Sequence, residues 1–65
     1  MEKPTKRSIT IAGHATSISL EPSFWAALSD MAAAHNMSLT DKITEIDARP
    51  RKSSLTSALR VAVLN

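Results

Sequence analysis

Two short runs of alternating apolar and polar residues flank Gly13, the only glycine of the chain. The apolar residues of the first run, Ile9 and Ile11, are odd-numbered, whereas those of the second run, Ile18 and Leu20, are even-numbered. Because successive side chains of a strand point to opposite faces, one straight strand cannot place both pairs on the same face. We therefore expect a bulge, kink or turn at Gly13, with two short strand segments rather than one ideal strand.

The residues after Leu20 have the periodicity of helices. Pro22 suits the first position of a helix, and Asn36 suits the left-handed residue that ends one. Ser38 is a favourable N-cap, and Pro50 stops the helix that Ser38 begins. The elements predicted from these signals are a strand at about 14–20 and helices at about 22–35, 38–48 and 54–64. The sequence leaves open whether residues 8–11 extend the strand.

The chain is too short to be stabilised easily by its own core. It has 65 residues, of which 43% are apolar, and no cysteine. A domain of this size buries only about 60% of its unfolded surface and usually needs a disulfide, a metal or a partner subunit. His14 and His35, the only histidines, have no spacing typical of a metal site. We therefore expect no metal, no cofactor and obligate association with another chain.

A second copy of the chain is the simplest partner. A single strand leaves its backbone N–H and C=O groups unpaired, and the same strand of a second copy can pair with it antiparallel about a two-fold axis. The predicted fold class is mainly α with one β-strand per chain, in a homodimer that forms a two-stranded antiparallel ribbon between its subunits.

Charge is distributed unevenly along the chain. The net charge of +2 divides into +2 over residues 1–7, −4 over residues 8–48 and +4 over residues 49–65. This pattern predicts a flexible basic arm at 1–7 and one domain at 8–65. The basic ends could hold an anionic partner, or they could be a solvated tail and a basic turn. No stretch has the length of a membrane span or the form of a secretory signal, so we expect a cytoplasmic protein without membrane contacts.

The sequence resembles the MetJ/Arc-like ribbon-helix-helix family, and especially its short bacterial members. The resemblance covers roughly residues 7–64. It depends on the order and spacing of five segments: Thr16–Pro22, Phe24–Leu28, Asn36–Thr40, Ile43–Asp47 and Ser54–Val61. The resemblance implies an intertwined homodimer whose strands form the ribbon, with an extra C-terminal helix.

The resemblance also implies DNA binding by the ribbon. In such proteins the paired strands enter the major groove and their outward side chains contact base edges. Here Thr16, Ile18 and Leu20 would face the helices, so the base contacts would come from Ala15, Ser17 and Ser19. Ala15 departs from the family pattern, in which a long polar or basic residue is common at that position.

Contacts with the DNA backbone are expected from the basic arm and from the N-terminus of the second helix, where free N–H groups suit a phosphate. The predicted backbone contacts are Lys3, Lys6, Arg7, His14, Ser38, Leu39, Thr40 and Lys42. The predicted dimer core is Ile18, Leu20, Phe24, Trp25, Leu28, Leu39, Ile43 and Ile46. Stacking of Phe24 and Trp25 on bases is the weaker interpretation, because both residues start an amphipathic helix.

The resulting function is that of a sequence-specific transcriptional regulator, acting as a repressor or autoregulator on double-stranded DNA. Two alternatives stay open: an antitoxin with the same ribbon, and a dimeric protein-interaction module that does not bind DNA. The third helix could complete the core, contact another protein or join dimers into a dimer of dimers. An enzyme is not expected, since no pair of residues has the spacing of a catalytic site.

Overall fold

The computed structural model describes residues 2–65. Its elements are β1 (Thr5–Ile11), β2 (His14–Leu20), α1 (Pro22–Ala34), α2 (Leu39–Asp47) and α3 (Leu55–Leu64). The prediction of one strand per chain is wrong, because β1 and β2 form a two-stranded antiparallel sheet within the chain. The flexible arm predicted at 1–7 is also wrong for residues 5–7, which are the first part of β1.

A two-residue turn joins the strands. Ala12 has φ of 50° and Gly13 has φ of 82°. Positive φ at both central residues is the requirement of a type I′ turn, whose twist matches that of the flanking strands. The turn brings Ile11 opposite His14, and the pairing continues as far as Thr5 opposite Leu20. The break expected at Gly13 is thus a tight hairpin turn.

The hairpin explains why the apolar residues change from odd-numbered to even-numbered positions across Gly13. Every pair in the register joins an odd-numbered residue to an even-numbered one, as in Arg7 opposite Ile18. Cross-strand partners share a face, so the odd-numbered side chains of β1 and the even-numbered side chains of β2 lie together. Ile9, Ile11, Ile18 and Leu20 accordingly all face the helices, where they are buried. One edge of β2 is therefore paired without a second chain.

The core lies between this inner face of the hairpin and the three helices. Its buried residues are Ile9, Ile11, Ile18, Leu20, Trp25, Leu28, Ala32, Ile43, Ile46 and Leu59. Six residues of the predicted dimer core are in that set, while Phe24 and Leu39 are half-buried and pack against it. A single chain is thus sufficient to bury these six residues, contrary to the expectation that their burial needs the dimer. The physical reason is that β1 adds an apolar strand that the single-strand prediction did not count.

The ends of the helices have the caps that the sequence indicates. Asn36 has φ of 56°, and the N–H of Met37 donates to the carbonyl oxygen of Ala32 at 2.8 Å, which is the hydrogen bond of a Schellman motif. The Ser38 hydroxyl accepts from the N–H of Asp41 at 3.0 Å. At the start of α1, both the N–H and the hydroxyl of Ser23 donate to the Glu2 carboxylate. Among residues 2–65 no helix has the length and apolar character needed to cross a bilayer.

Candidate nucleic-acid interface

The hairpin presents one polar face to solvent, which we call the outer ribbon face. All its side chains are exposed, and they come from both strands. The outer ribbon face consists of Lys6, Ser8 and Thr10 on β1, opposite Ser19, Ser17 and Ala15 on β2. The structure therefore places the three predicted base-contacting residues of β2 on the face away from the helices.

Ser8 and Thr10 are residues of this face that the sequence-based prediction missed. The sequence contains a signal for them, because Ser8 and Thr10 alternate with the apolar Ile9 and Ile11. A turn at Gly13 would place these odd-numbered apolar residues beside the even-numbered apolar residues of the second strand, so that Ser8 and Thr10 would face solvent. Lys6 lies opposite Ser19 on the same face rather than in a flexible arm. It supplies the long basic side chain that Ala15 lacks. The hydroxyls and the ammonium together can donate to or accept from base edges and phosphates.

Trp25 anchors the hairpin to α1 and determines where Arg7 lies. The indole Nε1–H donates to the carbonyl oxygen of Thr5 at 2.9 Å, and the ring is buried. The Arg7 guanidinium lies over this ring, 4.8 Å from its centroid. Arg7 is therefore held on the helix side of the hairpin, opposite Ile18, rather than in a mobile arm. The burial of Trp25 also excludes base stacking by this ring in the structure.

The N-terminus of α2 is accessible, but it is not purely electropositive. Thr40 is exposed and Leu39 is half-buried. The first N–H groups of a helix have no partner inside the helix and attract anions. Ser38 satisfies one of them, that of Asp41, whose carboxyl group lies in the first turn. Lys3 and His14 are both exposed, His14 next to the hairpin turn.

Lys42 does not lie where a phosphate contact requires it. The residue is only 3% exposed. Its Nζ is 2.7 Å from His35 Nδ1 and donates to Glu45 Oε1 at 2.9 Å. The prediction of a backbone contact is therefore wrong for this conformation, because the ammonium is directed between the helices. The hydrogen bond from Lys42, with a smaller contribution from Arg49, holds the pKa of Glu45 below its ordinary value.

An ion pair fixes α3 beside the end of the ribbon. The Arg60 guanidinium donates to the Glu21 carboxylate at 3.1 Å and lies 5.8 Å from the centroid of the Phe24 ring. Backbone hydrogen bonding at Glu21, followed by the hydrogen bond from Arg60, lowers the pKa of this carboxyl group. Because Glu21 directly follows β2, this ion pair joins α3 to the junction of ribbon and helix.

Comparison with known proteins places this architecture in a family. A family model described as a ribbon-helix-helix domain matches residues 4–65, which is nearly the whole chain. The chain belongs to the ribbon-helix-helix family. Members of this family are typically DNA-binding regulators that bind DNA as dimers, and the family is not a family of enzymes. The matched region includes β1, so the ribbon-helix-helix domain here contains the whole hairpin.

One solved structure is similar over almost the whole length of this ribbon-helix-helix chain. It is an uncharacterized protein from Bordetella pertussis Tohama I, with a TM-score of 0.82 and 35% sequence identity. The match covers 97% of this chain and 54% of that one, so the chain spans about half the length of the structure that it resembles. A comparison with curated proteins found no significant match.

Proposed function

We propose that this ribbon-helix-helix protein is a sequence-specific transcriptional regulator that binds double-stranded DNA as a homodimer. The observation that carries the proposal is the outer ribbon face, where small hydroxyl side chains and Lys6 are exposed on a hairpin whose other face contributes Ile9, Ile11, Ile18 and Leu20 to the core. A two-stranded ribbon has the size that the DNA major groove accepts. Repression or autoregulation at a short palindromic site is the mode of action that we infer for such a dimer.

The free edge of β2 is the proposed dimer contact. The turn makes Ile11 and His14 a hydrogen-bonded pair. Hydrogen-bonded and non-hydrogen-bonded residue pairs then alternate along the hairpin. Ser17, opposite Ser8, belongs to a non-hydrogen-bonded pair, so its backbone N–H and C=O groups point away from β1. Two copies joined antiparallel through this edge would form a four-stranded sheet with β2 and its copy in the centre.

The width of that sheet assigns different roles to the two strands. Strands lie about 4.8 Å apart, so four strands span about 14 Å between the outermost backbones, whereas the major groove is about 12 Å wide. We therefore propose that the two central strands enter the groove and that the flanking β1 strands lie over its edges. Ala15, Ser17 and Ser19 would then contact bases, and Lys6 on β1 would contact phosphates. The accessible N-terminus of α2 would add a backbone contact near Thr40.

Titration of random-sequence duplex DNA at several salt concentrations tests the DNA-binding proposal. We expect salt-sensitive binding, and Lys6→Gln should reduce the slope of log K against log salt by about one unit per lysine that contacts a phosphate. The matched control is Lys52→Gln, which makes the same charge change in the link between α2 and α3. Equal slopes for the two variants would contradict the role of Lys6. Selection of bound sequences with Ser17→Ala and Ser19→Ala should show a relaxed base preference without loss of folding.

A protein-interaction module is the second candidate, and α3 favours it. Val61 is 54% exposed and Leu64 is 76% exposed, and the two lie three residues apart on α3, so they are neighbours on one helix face. Adjacent exposed apolar side chains can form a contact site for another protein. In this case α3 would contact another protein or a second dimer, and an antitoxin would use the same surface for its toxin. A folded protein that does not bind DNA at low salt would favour this candidate over the regulator.

A further inference from the structure

A groove lies at the end of the helical layer where α1 and α3 end and where α2 connects to α3. Its volume is about 390 Å³ and it opens to solvent. Met31 of α1, Ile46 of α2 and Ala62 of α3 are among the residues that line it, and its walls are mostly apolar. Ligand sites in proteins are typically mostly apolar cavities of about 300–1,000 Å³ with a few polar groups, and the groove is at the lower end of that range.

The charged side chains of the groove all have the same sign. Lys42, Arg49 and Arg51 line it, whereas none of the acidic residues within 2–65 does. Their acidic partners, Glu45 and Asp47, lie outside the lining. The groove thus combines an apolar wall with a cationic border, although residues 8–48 as a whole carry an excess of acids.

The three cations differ in their freedom to bind a ligand. Arg51 is fixed, because its guanidinium donates to the backbone carbonyl and the carboxylate of Asp47. Lys42 is buried and fixed by Glu45. Arg49 is 55% exposed and shares Glu45 with Lys42, so it can turn to a ligand while Glu45 keeps Lys42 as its partner. Arg49 is therefore the cation best placed to bind an anion directly.

We propose that this groove binds a small organic anion, namely a carboxylate or phosphate ester with a short apolar body. The anionic group contacts Arg49 at the border, beside Lys42 and Arg51, which stay paired with Glu45 and Asp47. The apolar body lies on Met31, Ile46 and Ala62, where the flexible methionine side chain adapts to its shape. The site is separate from the outer ribbon face, and binding of the anion does not depend on DNA binding.

Titration of the full chain with hexanoate, followed by NMR, tests the proposal. We expect saturable binding of one hexanoate per chain, with shifts centred on the Met31 methyl group and the Ala62 amide. Acetate lacks the apolar body and hexanol lacks the charge, so each should bind about tenfold or more weakly. Hexyl phosphate, with the same body, distinguishes a preference for phosphate esters from one for carboxylates.

Matched variants locate the contact. Arg49→Gln should weaken hexanoate binding about tenfold through loss of a charge-assisted hydrogen bond. Lys52→Gln removes the same charge from the neighbouring link and should leave binding unchanged. Ala62→Leu should block the apolar wall, and its unfolding curve shows whether the fold is kept.

Three results would overturn the proposal. The first is no shift in the groove with hexanoate, and the second is equal binding of hexanoate and hexanol. The third is a set of groove resonances that change with protein concentration and do not respond to hexanoate, which would assign the groove to a second copy of the chain.

Discussion

Replacing Gly13 with alanine tests the hairpin turn on which the outer ribbon face depends. Gly13 has φ of 82°, which residues with a Cβ rarely adopt, and a Cβ built there would meet no heavy atom within 4 Å. The expected penalty is therefore one of backbone conformation alone, about 1–2 kcal/mol. In a domain of this size about 1 kcal/mol changes the Tm by roughly 4–8 °C, so Gly13→Ala should lower the Tm by roughly 4–16 °C.

Ala12→Asn is the matched variant for this prediction. Ala12 already has φ of 50°, and asparagine followed by glycine is the pair most favoured in type I′ turns. Ala12→Asn should therefore raise the Tm by a few degrees, opposite in sign to Gly13→Ala. Thermal and urea unfolding, followed by circular dichroism and by the fluorescence of Trp25, measure both variants. Unchanged stability in both would refute the turn at residues 12 and 13, and with it the placement of β1 against β2.

Three further predictions concern the groups that join the elements. Trp25→Phe removes the hydrogen bond to the Thr5 carbonyl oxygen and part of the buried ring, and should cost about 2–4 kcal/mol in urea unfolding; a loss below about 0.5 kcal/mol would contradict this anchoring. Lys42→Met replaces a buried ammonium with an apolar side chain of similar length, while Glu45 stays partly exposed and hydrated. We expect stability to be unchanged or about 1 kcal/mol higher, and a loss of about 3 kcal/mol would show that the charge itself is required. The pKa values of Glu21 and Glu45 are lowered in the folded state, so the stabilisation is present above their usual value of 4.5 and is lost as the pH falls through the folded values. The urea midpoint should therefore decline below about pH 4.5, and Glu21→Gln should reduce that decline; an equal decline in this variant would exclude Glu21 as a source.

The helices and their ends are largely predictable from the sequence, because their signals are local. Ser38 caps α2 and Asn36 ends α1 in the left-handed conformation, as their residue types indicate. The orientation of β2 also follows from alternation alone, with Ile18 inward and Ser17 outward. In these segments the conformational preference of each residue and the burial of the apolar side chains favour the same structure.

The partner of β2 was harder to predict, because strand pairing is not a local property. The parity change at Gly13 correctly indicated a break, but the basic residues before Ser8 resembled a solvated arm. Their side chains are compatible with a strand because Lys6 faces solvent and Arg7 lies over the Trp25 ring. A prediction from charge alone could not distinguish this strand from an arm.

The burial of Lys42 was indicated by its position in the helical pattern, but its residue type favoured the opposite prediction. Lysine usually lies at the surface, and the place of Lys42 near the N-terminus of the second helix suggested a phosphate contact. Yet Lys42 is three residues after Leu39 and four residues before Ile46, so helical spacing places it on the apolar side of α2. Its burial depends on His35 and Glu45, whose approach only the tertiary structure reveals.

Two proline variants test the proposed dimer contact. Ser8 and Ser17 are opposite each other, and the hairpin geometry points the backbone N–H of each away from the partner strand. Proline removes that N–H, so Ser17→Pro should dissociate the dimer by blocking the edge of β2, while Ser8→Pro should leave it intact. Sedimentation equilibrium measures both, and dissociation by Ser8→Pro alone would place the contact on β1 instead.

NMR mapping of the chain during titration with duplex DNA at low and high salt tests directly whether the outer ribbon face binds DNA. We expect salt-sensitive shifts on the outer ribbon face, with Lys6, Ser17 and Ser19 among the most affected residues, and little change at Ala62 in the groove. A folded protein whose outer ribbon face shows no change with DNA at low salt would rule out DNA binding by the ribbon and leave α3 as the next surface to examine.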